Sequence, residues 1–593
     1  MKQIRYYQII TAFCCLLLIS CGIDKNLKKG EKFLSLGEYY AAADQFKQAY
    51  TKTPPKEREN RGKLALKMAR CYNKINATPK AVNAYRNAIR YNQASLDDRL
   101  AYARLLLKNG EYKQAEKEFR ILVDSMPNNI LAQNGLKSAQ MAPVWKKAGS
   151  RYQVKKMDIF TSRRADYSPM LQGDEYEQLY FTSTRNDAQG DELSGITGTK
   201  AGDIFYSEKD DKGKWSRPEA IATGLNTDYD EGACCFTPDG KEMYLTQCVT
   251  DPASPRFAQI VTSSRSDAAW GKVQKLEITQ DTLSTYAHPA ISPDGEWLYF
   301  VSDMPGGMGG YDIWRVRITP SGLGGVENLG APINTPGDEM FPTFRPNGDL
   351  YFSSNGHIGM GGLDIYIARI DEKTQQYKIE HPGYPLNSEA DDFGMTFEGP
   401  HNRGFFSSNR KDGRGYDHIY SFENPEIVTT MKGWVYEKDG YELPAAQVMV
   451  VGNDGTYRKL PVKSDGSFTL PIHPKVDYLV MASCKGFLNH KEELRIDSAK
   501  ESKEYVLQFP LASITAPVLI DNIFYDFDKA TLTEASTTAL DQLVTLLKEN
   551  PHVTIELSAH CDYKGNSEYN KHLSQRRAQS VVDYLIKHGI EKE

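Results

Sequence analysis

What the sequence leaves out narrows it first. No CxxC pair and no His/Cys spacing of a metal site occurs in the 593 residues. GxxxxGK[ST], G-x-S-x-G and H-E-x-x-H are all absent, which removes the commonest phosphate-loop and hydrolase signatures. Past the first twenty residues no apolar run is long enough to cross a bilayer as a helix. A large excess of one charge is also lacking: the formal net charge is −5, so there is no basic field for a nucleic-acid partner. Nothing points to a cofactor. What is present is ordinary for folded protein, 40% hydrophobic and 25% charged. The length predicts about four domains, and 46 glycines with 35 tyrosines point to much β-structure with tight turns.

The chain opens with Lys2 and Arg5, then an apolar run from Ile9 to Ile19, too short to span a membrane. This reads as a signal peptide over 1–20. Leu18-Ile19-Ser20-Cys21 resembles the bacterial lipobox, which implies acylation of Cys21 as the first mature residue. Gly22 follows, where an Asp in enteric lipoproteins favours retention in the inner membrane; the resemblance implies an outer-membrane anchor facing the periplasm. Beyond these residues six cysteines are scattered at 71, 234, 235, 248, 484 and 561. A hairpin centred on Pro238-Asp239-Gly240-Lys241 sets Cys235 opposite Tyr244 rather than Cys248, so separate buried thiols are expected.

From 21 to about 145 the pattern is helical. Gly37-Glu38-Tyr39 with Ala42, Phe46 and Ala49 aligns with Asn76, Ala81, Tyr85 and Ala88, and again with Gly110-Glu111-Tyr112, Ala115, Phe119 and Leu122. Small residues let paired helices approach, and an aromatic four residues on fills the gap. The pattern resembles tetratricopeptide (TPR) repeats, which stack into a concave surface that usually holds a segment of a partner protein.

From 151 to 424 the signal turns to β. "CCFTPDGKEMYLTQ", "AISPDGEWLYFVSD" and "PTFRPNGDLYFSSN" are hairpins around Pro-Asp-Gly-type turns, and two degenerate copies make five units. They resemble the WD40-like PD40 repeats of TolB-type propellers, which implies about five blades, with Tyr152 to Phe160 supplying a closing strand. Asp203, Asp312, Asp364 and Asp417 recur once per unit. Repetition favours a structural role, each carboxylate accepting backbone N–H groups of the preceding glycine-rich loop, over a catalytic or metal ring.

Residues 427–512 read as short strands joined by Asp-Gly turns, a β-sandwich. Gly433, Pro444-Ala445, Ser464-Asp465-Gly466-Ser467-Phe468 and Gly486-Phe487 resemble the carboxypeptidase regulatory-like domain, a spacer or adhesion module.

Residues 515–593 read as βαβα: a strand over 522–528, a helix over 535–548, a strand carrying Val553, Ile555, Leu557 and Ala559, and a helix over 570–588. Leu573, Arg577, Val581 and Leu585 share one face of the last helix. Arg577 on that face requires a counter-charge or a bound anion. Asp562, at the mouth of the preceding loop, permits either a structural ion pair or a clamp for a zwitterion, the acid holding an ammonium and the guanidinium a carboxylate. Ala559-His560-Cys561-Asp562, Tyr569-Asn570, Leu573-Ser574 and Arg577-Ala578 resemble the C-terminal domain of the OmpA family. The resemblance implies peptidoglycan binding, with the diaminopimelate of the stem peptide on Asp562 and Arg577 and pocket positions at Asn570 and Leu573. Ala559 and Cys561 stand where the family carries Gly and Thr, and the family's final strand has no counterpart before Glu593.

The fold class expected is therefore multidomain: an α-helical TPR solenoid, an all-β propeller of about five blades, a β-sandwich and an α/β OmpA-like domain. The order resembles that of OmpA-family lipoproteins of Bacteroidota, which implies a non-enzymatic tether between outer membrane and cell wall, with type IX secretion proteins as partners of the helical repeats and propeller. Two alternatives remain: a general envelope scaffold or transport accessory, and a propeller-containing hydrolase.

Overall fold

Small residues under aromatic rings build the N-terminal array. The computed structural model describes residues 23–190, 193–221, 224–249, 257–266, 269–371, 373–496, 502–515, 523–562, 564 and 566–592; Cys21 and the lipobox lie outside them. Helix α1 covers 23–35. It is followed by α2 (Tyr39–Lys52), α3 (Arg58–Lys74), α4 (Thr78–Arg90), α5 (Leu96–Lys108), α6 (Tyr112–Ser125) and α7 (Ile130–Ala148). Phe46 lies over Gly30 and Phe119 over Gly135, so close that an added Cβ would stand 2.5 and 2.3 Å from the rings. This one-glycine, one-phenylalanine interlock occurs at both ends of the array. Ser95 and Asp98 form a reciprocal capping box at the start of α5, and Arg70 grips the same Asp98 with two nitrogens at 2.9 and 3.0 Å.

Five sheets follow, in the same compact unit as the helices, Met1–Pro425. Sheet I holds Asp166–Gln172, Gln178–Ser183, Asp203–Glu208 and Glu219–Ala220. Sheet II holds Asp230–Phe236, Glu242–Val249, Phe257–Ser266 and Gln274–Lys275, with Ala269–Trp270 at its side. Sheet III holds Tyr286–Ile291, Trp297–Ser302, Asp312–Thr319 and Gly322–Asn328. Sheet IV holds Glu339–Phe344, Leu350–Ser354, Asp364–Ile370 and Tyr377–Glu380. Sheet V holds Asp392–Phe397, Arg403–Ser408 and His418–Glu423, completed by Gln153–Lys156 from before sheet I. The first strand of each sheet packs against the first strand of the next, and that of sheet V against that of sheet I. Each first strand is interrupted at the same place by a left-handed residue: Ser168, Ala233, His288, Phe341 or Gly394. Cys235 pairs with Tyr244 across its hairpin, and the six described cysteines are free thiols.

Polar side chains join the sheets. Asn226, Asn334 and Asn387 each accept from and donate to one residue on the third strand of the preceding sheet, namely Ile204, Ile313 and Ile365, at 2.8–3.1 Å. Each amide thereby closes the backbone groups of a strand where the ladder ends. Asp230, Asp338 and Asp391 accept the N–H of Gly202, Tyr311 and Leu363 from the preceding sheet. The per-sheet acids singled out in the sequence divide. Asp203 accepts the N–H of Gln189, Asp312 those of Met308 and Gly309, and Asp364 those of Met360 and Gly361, which fixes their loops. The Oδ1 of Asp417 is buried with no hydrogen-bond partner, and burial pushes its carboxyl up to about 7.

The second unit, Glu426–Glu593, begins with two sheets over one core. Thr429–Glu437 lies between Ser467–Ile472, antiparallel, and Lys503–Leu511, parallel. The other sheet orders Tyr457–Pro461, Gln447–Gly452, Asp477–Ser483 and His490–Arg495. Met431, Val448, Phe468, Val480 and Phe509 fill the space between them. Helices α8 (Glu534–Glu549) and α9 (Ser567–Lys587) follow, packed through Leu540, Leu543, Leu547, Val581 and Leu585. The strands expected over 522–528 and 553–559 are not formed among the described residues; an isolated bridge joins Tyr525 to Leu532. Alternation selects a face only where a neighbouring strand fixes the register, and without one Ile555 is 42% and Phe527 98% exposed.

Glu339 of sheet IV has no exposed surface, and accepts from Thr335 N–H, Thr335 Oγ1 and Ser354 Oγ at 2.6–2.8 Å. Burial lifts its carboxyl to about 7. An acid raised on folding binds its proton more tightly in the native state, so its stabilisation is complete below about pH 4 and is lost as pH rises towards 7. Glu339→Gln should remove that dependence. Urea unfolding from about pH 4 to about pH 8 should show wild type losing on the order of 3 kcal/mol more than the variant; parallel curves would contradict the assignment.

Candidate OmpA-like binding site

The last helix is positioned from its first turn. Asn566 caps α9 by accepting from the N–H groups of Glu568 and Tyr569 at 2.9 and 3.2 Å. Leu573, Val581 and Leu585 on its inner face are buried, and Arg577 among them is half-buried. Three contacts hold this guanidinium. Its Nε donates to the Lys529 carbonyl at 3.0 Å, its Nη1 reaches Cys561 Sγ at 3.7 Å, and its carbon stands 4.9 Å from the centre of the Tyr525 ring. The Tyr525 hydroxyl in turn donates to the Arg577 carbonyl at 3.0 Å. Nη2 has no hydrogen-bond partner among the described residues, so one edge of the fork stays open.

Asp562 lies on the exposed loop before α9, and its carboxylate has no partner among the described residues. It does not pair with Arg577, so a direct structural ion pair is not what holds the arginine. Asn570 donates through Nδ2 to the carbonyls of Asp562 and Lys564 at 3.1 and 2.9 Å. It pins the loop backbone, and thereby the place from which the Asp562 carboxylate projects. Leu573 sits one turn before Arg577 as part of the apolar floor. The four residues thus run from just before α9 to its midpoint, with two as charges, one as a strut and one as packing.

Tyr525, the Lys529 carbonyl and a bond from Tyr569 Oη to Asp528 Oδ1 at 2.8 Å were not legible as site features. The one available signal was Tyr525 itself, an aromatic with a polar tip on the same phase as Ile523 and Phe527.

Residues 524–593 match the OmpA family. The C-terminal segment is an OmpA family domain. It is 42% identical over 74 residues to Outer membrane protein A of Escherichia fergusonii, covering 12% of this chain and 30% of that protein. Against Outer membrane protein A of Klebsiella aerogenes it is 42% identical over 77 residues, covering 12% of this chain and 21% of that protein. The chain therefore spans less than a third of the length of these relatives. Among solved structures, a thermostable family-43 glycoside hydrolase aligns with 45% of this chain and 91% of its own at 11% identity, with a TM-score of 0.31, too low to bear on fold or activity. Among the described residues, no helix is long and apolar enough to cross a membrane.

If Asn570 ties Asp562 and Lys564 to α9, Asn570→Ala should free them. Trypsin cleavage after exposed Lys564 should accelerate several-fold, by the loss of about 1 kcal/mol per carbonyl bond, while melting of the two preceding sheets stays unchanged. Unaltered cleavage would remove the strut role.

Proposed function

We propose that the chain is a non-enzymatic outer-membrane lipoprotein that binds peptidoglycan through its OmpA-like domain and scaffolds an envelope complex, the type IX protein secretion system. The observation that carries the wall-binding reading is the half-held guanidinium: Tyr525 and the Lys529 carbonyl orient Arg577 while its Nη2 edge stays open. An arginine so placed accepts a carboxylate with little further ordering, and charge-assisted bonds of this kind are the strong ones. Asp562 supplies the opposite charge at the same mouth for an ammonium. Diaminopimelate carries both groups on one carbon, which distinguishes it from a simple anion.

In this reading acyl chains on Cys21 hold one end in the outer membrane facing the periplasm. Three chains make a stable anchor where one does not. The helical array serves as TPR repeats, sheets I–V as a five-bladed propeller and the two sheets of the second unit as a spacer. The neighbour order of the first strands, running from sheet I round to sheet V and back, supports the propeller.

Sedimentation with purified sacculi tests the wall contact. Wild type should pellet, and Asp562→Ala and Arg577→Ala should each weaken binding about tenfold or more, the cost of one charge-assisted hydrogen bond. Equal pelleting of all three proteins would reject these residues as the clamp.

A further inference from the structure

TPR-type grooves ordinarily hold a segment of another protein. In this chain the face shared by neighbouring helices α5 and α7 already holds something: the glycine-rich segment 355–362, which links the second and third strands of sheet IV. Arg104 of α5 donates to the Asn355 carbonyl at 3.2 Å. Asn134 and Ser138 of α7 take the next two contacts, Asn134 Nδ2 donating to the Gly356 carbonyl and Gly359 N–H donating to Ser138 Oγ, both at 2.9 Å. All three bonds go to backbone groups of the segment, as they would to an extended peptide ligand.

Charge complementarity surrounds these bonds. Lys108 pairs with Asp391, with side chains only 13% and 4% exposed. Asn76 donates to the same carboxylate at 2.6 Å. Lys146 pairs with Glu389 at 3.1 Å, and Trp145 stacks on His381 with ring centres 4.4 Å apart. The helices thus bring Lys108 and Lys146 to a rim that presents Asp391 and Glu389. A buried pair such as Lys108–Asp391 punishes separation, because either partner alone is left as an uncompensated charge. The segment's own shape depends on its glycines. A Cβ on Gly361 would stand 1.8 Å from the Glu389 carbonyl oxygen, and one on Gly359 2.2 Å from Asp364.

We propose that segment 355–362 is the resident ligand of the α5–α7 face, so that this face binds the chain's own sheet IV rather than a partner protein and locks helices and sheets into one body. Proteins that engage the first unit then do so elsewhere on it. The inference is independent of the wall-binding site.

Zero-length carbodiimide coupling of the full-length protein, read by peptide mass spectrometry, tests it. Wild type should yield a Lys146–Glu389 link. Lys108→Met combined with Asn134→Ala and Ser138→Ala should reduce that link to background and raise amide exchange in 355–362, while strands Leu350–Ser354 and Asp364–Ile370 keep their protection. Should the triple variant not fold, surface charge reversal decides: Lys146→Glu should loosen the segment and Lys146→Glu with Glu389→Lys should restore it. Absence of the link in wild type, or exchange in 355–362 that no variant alters, would overturn the proposal.

Discussion

A guanidinium set into the apolar face of a helix is the constraint on which the C-terminal domain turns. Leu573, Val581 and Leu585 are buried around the half-buried Arg577, and a charge in such company is costly unless polar groups meet it. Tyr525 offers its ring and Lys529 its carbonyl. These contacts satisfy part of the fork and orient the rest. The remaining edge is open and the Asp562 carboxylate is unpaired among the described residues, which is the arrangement the proposed clamp requires.

The same demand organises the first unit. Where a strand ladder stops, an asparagine from the connection to the following sheet supplies the missing donor and acceptor, three times over. Acids at the sheet entries take up N–H groups of the preceding loops. One of these, Asp391, also receives Lys108 and Asn76 from the helices, so the device that joins sheet to sheet also joins array to sheets. Apolar clusters run between neighbouring sheets, and buried polar groups that have one place to go add direction to that packing.

Much of this was legible in the sequence where the controlling contacts are local. The alanine and aromatic spacing of the repeats, the Pro-Asp-Gly turns and the helix faces of α8 and α9 depend on residues a few positions apart. Cys235 opposite Tyr244 followed from the turn alone. What escaped depends on distant partners. The asparagine clasps join residues 21 or 22 positions apart, and Leu225-Asn226-Thr227, Ile333-Asn334-Thr335 and Leu386-Asn387-Ser388 show a repeat whose purpose only a neighbouring sheet reveals. Tyr525 meets Arg577 across 52 positions. The segments at 522–528 and 553–559 alternate as strands do, yet no neighbour fixes them among the described residues. The groove of the helical array is filled by backbone groups of a glycine-rich loop, which leave no side-chain signature.

The central claim is that the open edge of Arg577 takes the free carboxylate of a wall-peptide zwitterion. Calorimetric titration with soluble muropeptides tests it most directly, comparing stems that carry free diaminopimelate with stems whose side carboxylate is amidated. Amidation should weaken binding about tenfold or more, as expected for one lost charge-assisted hydrogen bond, and Arg577→Lys should erase most of the difference. Equal affinity for both stems would contradict the account.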